Sequence, residues 1–233
     1  MNNSGVYTVI FGSGGEDDGG SLWRVPLTDL MNNDISGATM LIDDPVTGFI
    51  APVSLADINY DGVYDIVSQS FSGTIYAIDG LLNTILWEVT IPGAQSSAAP
   101  IFGNFTGNQS PDVFAVLGKG SAPSYFDYYQ VMIDGNTGQI AFFDSISDLH
   151  FASANAVDLD LNGRDEVILS LNYHTGTHFE HQLKIVDFPN NSISDLSLTE
   201  AGVNLGSTPL ITDLDGNGFI DFVYAFRADR VNP

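Results

Sequence analysis

Apolar residues come in short runs along the whole chain, bounded by clusters of Gly, Asn, Asp and Ser. Short runs between turn signals read as β-strands rather than helices. The first run, 6–12, is followed by 21–27 and 39–43. From there a four-strand unit repeats. A strand at 51–55 enters a polar loop, a second leaves it at 65–68, a third runs 73–79 and a fourth 85–91. The leaving strand recurs at 112–117, 166–171 and 221–226, the third at 129–134 and 182–188, and the fourth at 139–145 and 193–199. Asp79-Gly80 and Asp134-Gly135-Asn136-Thr137-Gly138 supply tight turns between third and fourth strands.

The polar loop is itself a repeat. Its first positions are 57, 104, 158 and 213, spaced by 47, 54 and 55 residues. Four short antiparallel strands at about this period (~40–50 residues) make one blade of a β-propeller. The expected fold is therefore all-β, a propeller or propeller fragment of about four to five four-stranded blades. The blades fall at 1–48 (partial), 49–96, 97–149, 150–205 and 206–233 (partial). Both ends lie mid-blade in nearly the same register, and the terminal pieces sum to one strand more than a blade holds. A piece of a longer propeller is the expectation, and a closed ring of four blades with a spare strand is the alternative.

The loops carry the chemistry. In the first, Asp57, Asn59, Asp61 and Asp65 occupy positions 1, 3, 5 and 9, with Gly62 at position 6 and the Val63 carbonyl at position 7. The third has Asp158, Asp160, Asn162 and Glu166 with the Arg164 carbonyl. The fourth has Asp213, Asp215, Asn217 and Asp221 with the Phe219 carbonyl. Oxygen-bearing side chains on alternate residues converge when the backbone curls, and Gly permits the bend. An all-oxygen, multidentate set suits Ca²⁺, at ~2.3–2.6 Å and 6–8 ligands, better than Mg²⁺. About three Ca²⁺ sites follow. The second loop is a degenerate copy: Asn104, Thr106, Asn108 and Asp112, with Gln109 where the others have Gly. An EF-hand needs a Glu at position 12 and flanking helices. Position 12 is Ser68, Leu169 and Tyr224, and the flanks are strands, so EF-hand and dockerin are excluded.

Composition sharpens this picture. The 233 residues include 29 Asp+Glu against 6 Lys+Arg, a formal net charge of −23. Glu stands only at Glu16, Glu88, Glu166, Glu180 and Glu200, so 24 of the acids are Asp, the residue of turns and metal loops. The charge opposes nucleic acid, phosphate and anionic membranes. The absence of Cys excludes a disulfide framework, a thiol nucleophile and a zinc–thiolate site. No apolar run approaches the ~20 residues of a membrane helix. The first residues, Met1-Asn2-Asn3-Ser4-Gly5, do not have the pattern of a signal peptide.

With their following strands and period, the loops resemble FG-GAP repeats, the calcium-loop blades of integrin alpha-subunit propellers, from Val6 to about Arg227. Thr74 to Gly80 through Leu86-Trp87 also resembles the PQQ-like repeat, and Phe142 takes the Trp position in the next copy. This resemblance implies a propeller with calcium loops between the first two strands of each blade, and usually export to the cell surface. It implies no single activity.

Other motifs read as structure. Gly12-Ser13-Gly14-Gly15 precedes Glu16-Asp17-Asp18 and a strand, not the helix that a phosphate loop opens, so an acidic hairpin is expected. His174, His178 and His181 with Glu180 fit a surface hairpin better than a metal or catalytic cluster. Tyr125-Phe126-Asp127-Tyr128-Tyr129 beside Ser121-Ala122-Pro123 is either blade packing or a lip for a sugar or protein. Trp23 and Trp87 are expected in blade-to-blade cores. The favoured reading is a non-catalytic, calcium-stabilised extracellular module for cell adhesion or for binding a protein or carbohydrate. The alternative is part of an exported propeller enzyme, either a polysaccharide lyase or a quinoprotein. Clustering of His174, His181, Arg164 or Arg227 in one cleft would favour the enzyme.

Overall fold

The computed structural model describes residues 7–146, 150, 152–204, 206–225 and 227–228, and its regular structure is almost all antiparallel strand. The first sheet holds β1 (Thr8–Gly12), β2 (Gly20–Pro26) and β3 (Thr39–Asp44), with one short helix, α1 (Leu27–Met31), after β2. The second is a meander of β4 (Ser54–Ala56), β5 (Asp65–Gln69), β6 (Thr74–Ile78) and β7 (Ile85–Thr90). In the third, β8 (Ala94–Gln95) and β9 (Ile101–Gly103) both pair with β10 (Asp112–Ser121), followed by β11 (Ser124–Ile133) and β12 (Ile140–Ile146). The fourth comprises β13 (Asn155–Val157), β14 (Glu166–His174), β15 (Phe179–Asp187) and β16 (Ser192–Asp195), and β17 (Glu200–Val203) also pairs with β15. A last pair joins β18 (Leu210–Thr212) to β19 (Asp221–Val223), while β20 (Arg227–Ala228) pairs back to β17. The expected strand ends at Val6 and Phe226 lie outside the described residues, as do the outer limits of the partial blades.

The middle sheets are buried on both faces, which explains why their strands read as continuous apolar runs. Successive residues of a strand point to opposite faces. In β10, Val113, Ala115 and Leu117 pack toward the second sheet with Val67, Ile75, Ala77 and Trp87. Phe114 and Val116 point the other way, into a cluster with Val167, Leu169 and Leu171 of β14. A third cluster, Leu22, Ile42, Phe49, Ile66 and Ile78, joins the first sheet to the second. The core is thus a series of layers between neighbouring sheets, as in the stacked blades of a propeller.

Trp87 is one of the blade-to-blade residues, as expected. Its Nε1 donates to the Gly135 carbonyl of the next sheet at 2.7 Å. At the following interface the equivalent Phe142 meets Phe188, with ring centroids 5.2 Å apart. Trp23 instead donates within its own sheet, to Ser13 Oγ at 3.3 Å. The Gly12 to Gly15 segment forms a hairpin loop, not a helix start. Gly48 packs so close that a Cβ on Gly14 would lie 2.8 Å from its Cα.

The hairpins β10–β11 and β14–β15 run further than the apolar pattern indicated, because polar residues continue them. Asn172, fully buried in β14, accepts from the Asn204 N–H (2.7 Å) and donates to the Asn204 carbonyl (2.8 Å). A polar group satisfied in this way occupies a strand interior at no desolvation deficit.

Candidate metal centre and cavity

Each polar loop lies between a short entering strand and the strand that leaves it, and the first, third and fourth are built by one hydrogen-bond pattern. In the third loop the Asp158 carboxylate accepts from the N–H groups of Asn162 (3.0 Å) and Gly163 (2.9 Å). Asp160 Oδ1 accepts from Asn162 N–H (3.1 Å), and Asn162 Oδ1 from Arg164 N–H (2.8 Å). Asp213, Asp215 and Asn217 repeat these bonds in the fourth loop, and Asp57, Asn59 and Asp61 repeat them in the first. Position 6 is left-handed in all three, with φ of 85° at Gly62, 87° at Gly163 and 88° at Gly218. Position 4 is left-handed too, which residue type does not announce in two of the three loops. Tyr60 (φ 59°) and Leu161 (φ 60°) adopt that region without being Gly, while Gly216 fills the same place in the fourth loop.

Position 9 distinguishes the loops. Asp65, buried, accepts from Ile58 and Asn59 N–H through Oδ2 and from Gly80 N–H through Oδ1. Asp112 does the same with Phe105, Thr106 and Gly135. Both carboxylates latch the loop to the turn between the third and fourth strands. The latch requires glycine in that turn: a Cβ at Gly80 would lie 1.9 Å from the Tyr64 carbonyl oxygen, and one at Gly135 1.8 Å from that of Pro111. In the third loop the equivalent turn residue is Phe188 and the acid is the longer Glu166. One oxygen of Glu166 accepts from Leu159 N–H at 2.8 Å. The other, Oε1, is buried and has no hydrogen-bond partner. A carboxylate oxygen buried without a donor is costly unless a cation meets it.

That unsatisfied oxygen bears on the fit to a metal. Asp158, Asp160 and Glu166 each bring a carboxylate oxygen within 4.8 Å of the others, and so do Asp213, Asp215 and Asp221. The donors are all oxygen, which matches a hard cation. Burial pushes the Glu166 carboxyl above the usual range, and the charges of Asp160, Asp187 and Asp158 push it further. Burial raises Asp65 and Asp112 as well, against the lowering effect of their N–H donors. The acids of the first loop do not form such a three-carboxylate group among the described residues, since position 3 is the amide Asn59 and Asp65 is held by the latch.

In the second loop the polar groups face one another or the next blade. Thr106 Oγ1 donates to Asp112 at 2.8 Å, and Asn108 Nδ2 to Asp134 at 3.0 Å. Asn104 is turned toward the third loop, donating from its N–H to Asp165 (2.7 Å) and from Nδ2 to the Gly163 carbonyl (2.5 Å). Ser110 Oγ reaches the Ile58 carbonyl of the first loop at 2.7 Å. The loops of three successive sheets are thus hydrogen-bonded into one chain.

His174, His181, Arg164 and Arg227, whose clustering would favour an enzyme, do not line the cavity bounded by Tyr125 and Tyr128. His174, His178 and Glu180 lie in the β14–β15 hairpin, where His174 packs on Phe179 at 4.9 Å and His178 Nε2 approaches Glu180 at 3.3 Å. Arg164 lies beside Gly107 in the loop layer, and Arg227 is exposed on β20. His181 is buried, with Nε2 2.8 Å from Ser170 Oγ, a nucleophile–base pair that sequence spacing did not disclose. Asn204 Nδ2 also donates to Ser170 Oγ at 2.7 Å, and both Ser170 and His181 are 1% exposed. This is a buried network tying β14 and β15 to the segment after β17. Burial pushes the His181 pKa down, against the charge of Glu200.

The aromatic run lies on β11. Tyr129 packs on Phe143 at 4.9 Å, and Lys119 Nζ sits over the rings of Phe126 (5.5 Å) and Tyr129 (5.2 Å). Tyr125 and Tyr128 line a cavity of about 230 Å³ at the end of the sheets away from the loops. No helix among the described residues is long and apolar enough to cross a membrane.

No protein-family model matches this chain, and no curated protein matches it. Solved structures do. The chain is similar to the Dos1 propeller at 14% identity, covering 89% of this chain and 48% of that one with a TM-score of 0.52. It is also similar to BamB from Moraxella catarrhalis (14% identity, 87% and 55% covered, TM-score 0.47) and to a europium-containing methanol dehydrogenase (10%, 84% and 50%, TM-score 0.33). The chain thus spans about half the length of these proteins. At such identities the likeness concerns fold alone. The likeness to the Dos1 propeller, together with the layered antiparallel sheets, establishes that this is an all-β chain built of β-propeller blades.

Proposed function

We propose that the chain is a non-catalytic, calcium-stabilised binding module of the FG-GAP type, working outside the cell on a protein or carbohydrate partner. One observation carries this reading: Glu166, whose carboxylate brings an oxygen within 4.8 Å of those of Asp158 and Asp160, has a buried oxygen with no hydrogen-bond partner. Asp213, Asp215 and Asp221 repeat the three-carboxylate set without such an orphan. In both loops Ca²⁺ would replace carboxylate repulsion by attraction and tie the entering strand to the leaving one. Asp57, Asn59, Asp61 and the Val63 carbonyl make the first loop a weaker third site, because Asp65 is already held by N–H donors. The acidic surface would keep the module soluble and turn away acidic ligands. Equilibrium dialysis against micromolar calcium tests this. Two ions should be retained tightly and a third more weakly, and Glu166→Gln should lose one tight ion. Wild-type protein that retains no calcium would overturn the reading.

A further inference from the structure

The cavity at the end of the sheets opposite the loops has a chemistry of its own. Gly118, in its wall, is six residues along β10 from Asp112, about 20 Å at ~3.3 Å per residue, so the cavity is separate from the metal loops. The first three sheets and His150 supply its walls. Its volume, about 230 Å³, falls below the ~300–1,000 Å³ of drug-sized pockets and fits one small ring.

Phe71, Tyr125 and Tyr128 give the lining its apolar part, the two Tyr rings lying 5.7 Å apart. Gln95 is fixed by its oxygen, which accepts from the Ala122 N–H (2.9 Å) and the Tyr125 hydroxyl (3.3 Å). Its Nε2 makes no hydrogen bond among the described residues. His150 is 2% exposed; the Ala152 backbone interacts with its ring, but neither ring nitrogen makes a hydrogen bond of good geometry. A neutral imidazole offers one donor and one acceptor. Glu16, the one charged residue of the lining, stands exposed at the rim.

We propose that this cavity binds a single neutral sugar residue, its ring face on Tyr125 and Tyr128 and its hydroxyls on His150, Gln95 and Glu16. Hydroxyl groups both donate and accept, which is what an imidazole N–H and lone pair, an amide N–H and a carboxylate together demand. Glu16 and the net charge of −23 turn away anionic sugars. An amine could satisfy Glu16 and the imidazole lone pair but would leave the Gln95 and His150 donors unmet.

The inference rests on the reading of the chain as a binding module but does not depend on its metal loops. Saturation-transfer NMR and calorimetry on the full chain in calcium would use glucose, galactose, mannose, fucose and N-acetylglucosamine. Glucosamine and glucuronate serve as charged controls. At least one neutral sugar should bind saturably and glucuronate should not. His150→Phe and Gln95→Ala should each weaken binding about tenfold, the size of one lost hydrogen bond in a desolvated site. Tyr125→Ala replaces His150→Phe if that variant fails to fold by circular dichroism. Glu166→Gln, kept below its unfolding temperature, should bind the sugar normally, so a failed metal site registers in dialysis and not here. Absence of saturable binding by any neutral sugar, binding of glucosamine alone, or unchanged affinity in the cavity variants would overturn the proposal.

Discussion

Asp112 offers a clean separation of latch from metal ligand, because it holds the position-9 role in the loop whose Thr106 and Asn108 side chains are already hydrogen-bonded. Three hydrogen bonds converge on its Oδ2, from Phe105 N–H (3.1 Å), Thr106 N–H (2.7 Å) and Thr106 Oγ1 (2.8 Å). A fourth, from Gly135 N–H at 3.3 Å, reaches Oδ1. In Asp112→Asn the amide oxygen can keep the first three, and the amide NH₂ then faces the Gly135 N–H. Neither donor can turn to solvent, since Asp112 is fully buried and Gly135 is wedged against the Pro111 carbonyl. Two opposed buried donors cost about 1–3 kcal/mol. At ~2–4 °C per kcal/mol for a chain of this size, a 2 kcal/mol loss lowers the Tm by roughly 4–8 °C. Asp112→Ala, which loses all four bonds, should cost about 3–5 kcal/mol. The assay is thermal unfolding followed by circular dichroism, in calcium and again in EGTA. The same drop is expected in both. An unchanged Tm in Asp112→Asn would refute the latch, and a drop confined to calcium would make Asp112 a metal ligand.

Four further outcomes follow from the structure. Burial holds the His150 pKa down at about 4, with the Ala152 backbone working against it. The unfolded chain, titrating near ~6.5, then binds more protons as pH falls, so stability is fully present above that value and is lost toward pH 4. At ~1.4 kcal/mol per unit this loss reaches about 2 kcal/mol by pH 5, and urea titrations at pH 7.5 and 5 should show it in wild type but not in His150→Phe. Leu161, at φ 60° and 85% exposed, trades strain for no packing, so Leu161→Gly should be neutral or stabilising by up to about 1 kcal/mol. Gly163→Ala, where a Cβ meets nothing within 4 Å but φ is 87°, should cost about 1–2 kcal/mol in the same titrations. Trp87→Ala removes a blade-to-blade anchor and its bond to Gly135, and should cost about 3–5 kcal/mol by urea unfolding.

The strand order, the loop positions and the blade period were legible because strands buried between two neighbours are written as apolar runs closed by Asp-Gly turns. What escaped was set by pairs distant in sequence. That Asp65 and Asp112 latch a turn depends on Gly80 and Gly135, whose approach to Tyr64 and Pro111 only the packed sheets reveal. The swap of Phe188 for that glycine and of Glu166 for the Asp was visible letter by letter. Its consequence, an unsatisfied buried oxygen, was not. The Ser170–His181 pair joins strand neighbours 11 residues apart, a separation that the hairpin fixes and spacing rules do not. The cavity draws on the first three sheets and His150, so no local motif announces it. Left-handed backbone at Tyr60 and Leu161 was hidden because sequence rules look for glycine there.

Thermal unfolding in calcium, in EGTA and in magnesium decides whether the loops are structural calcium sites. Binding to the folded state alone stabilises by about 2.7 kcal/mol per site at a hundredfold excess over Kd. Two strong sites therefore amount to a Tm difference on the order of 10–20 °C between calcium and EGTA. That difference is expected in wild type, restored by calcium and poorly by magnesium, and roughly halved in Glu166→Gln. A Tm indifferent to chelation would contradict it and leave the acidic loops as hydrogen-bonded turns of a propeller that needs no metal.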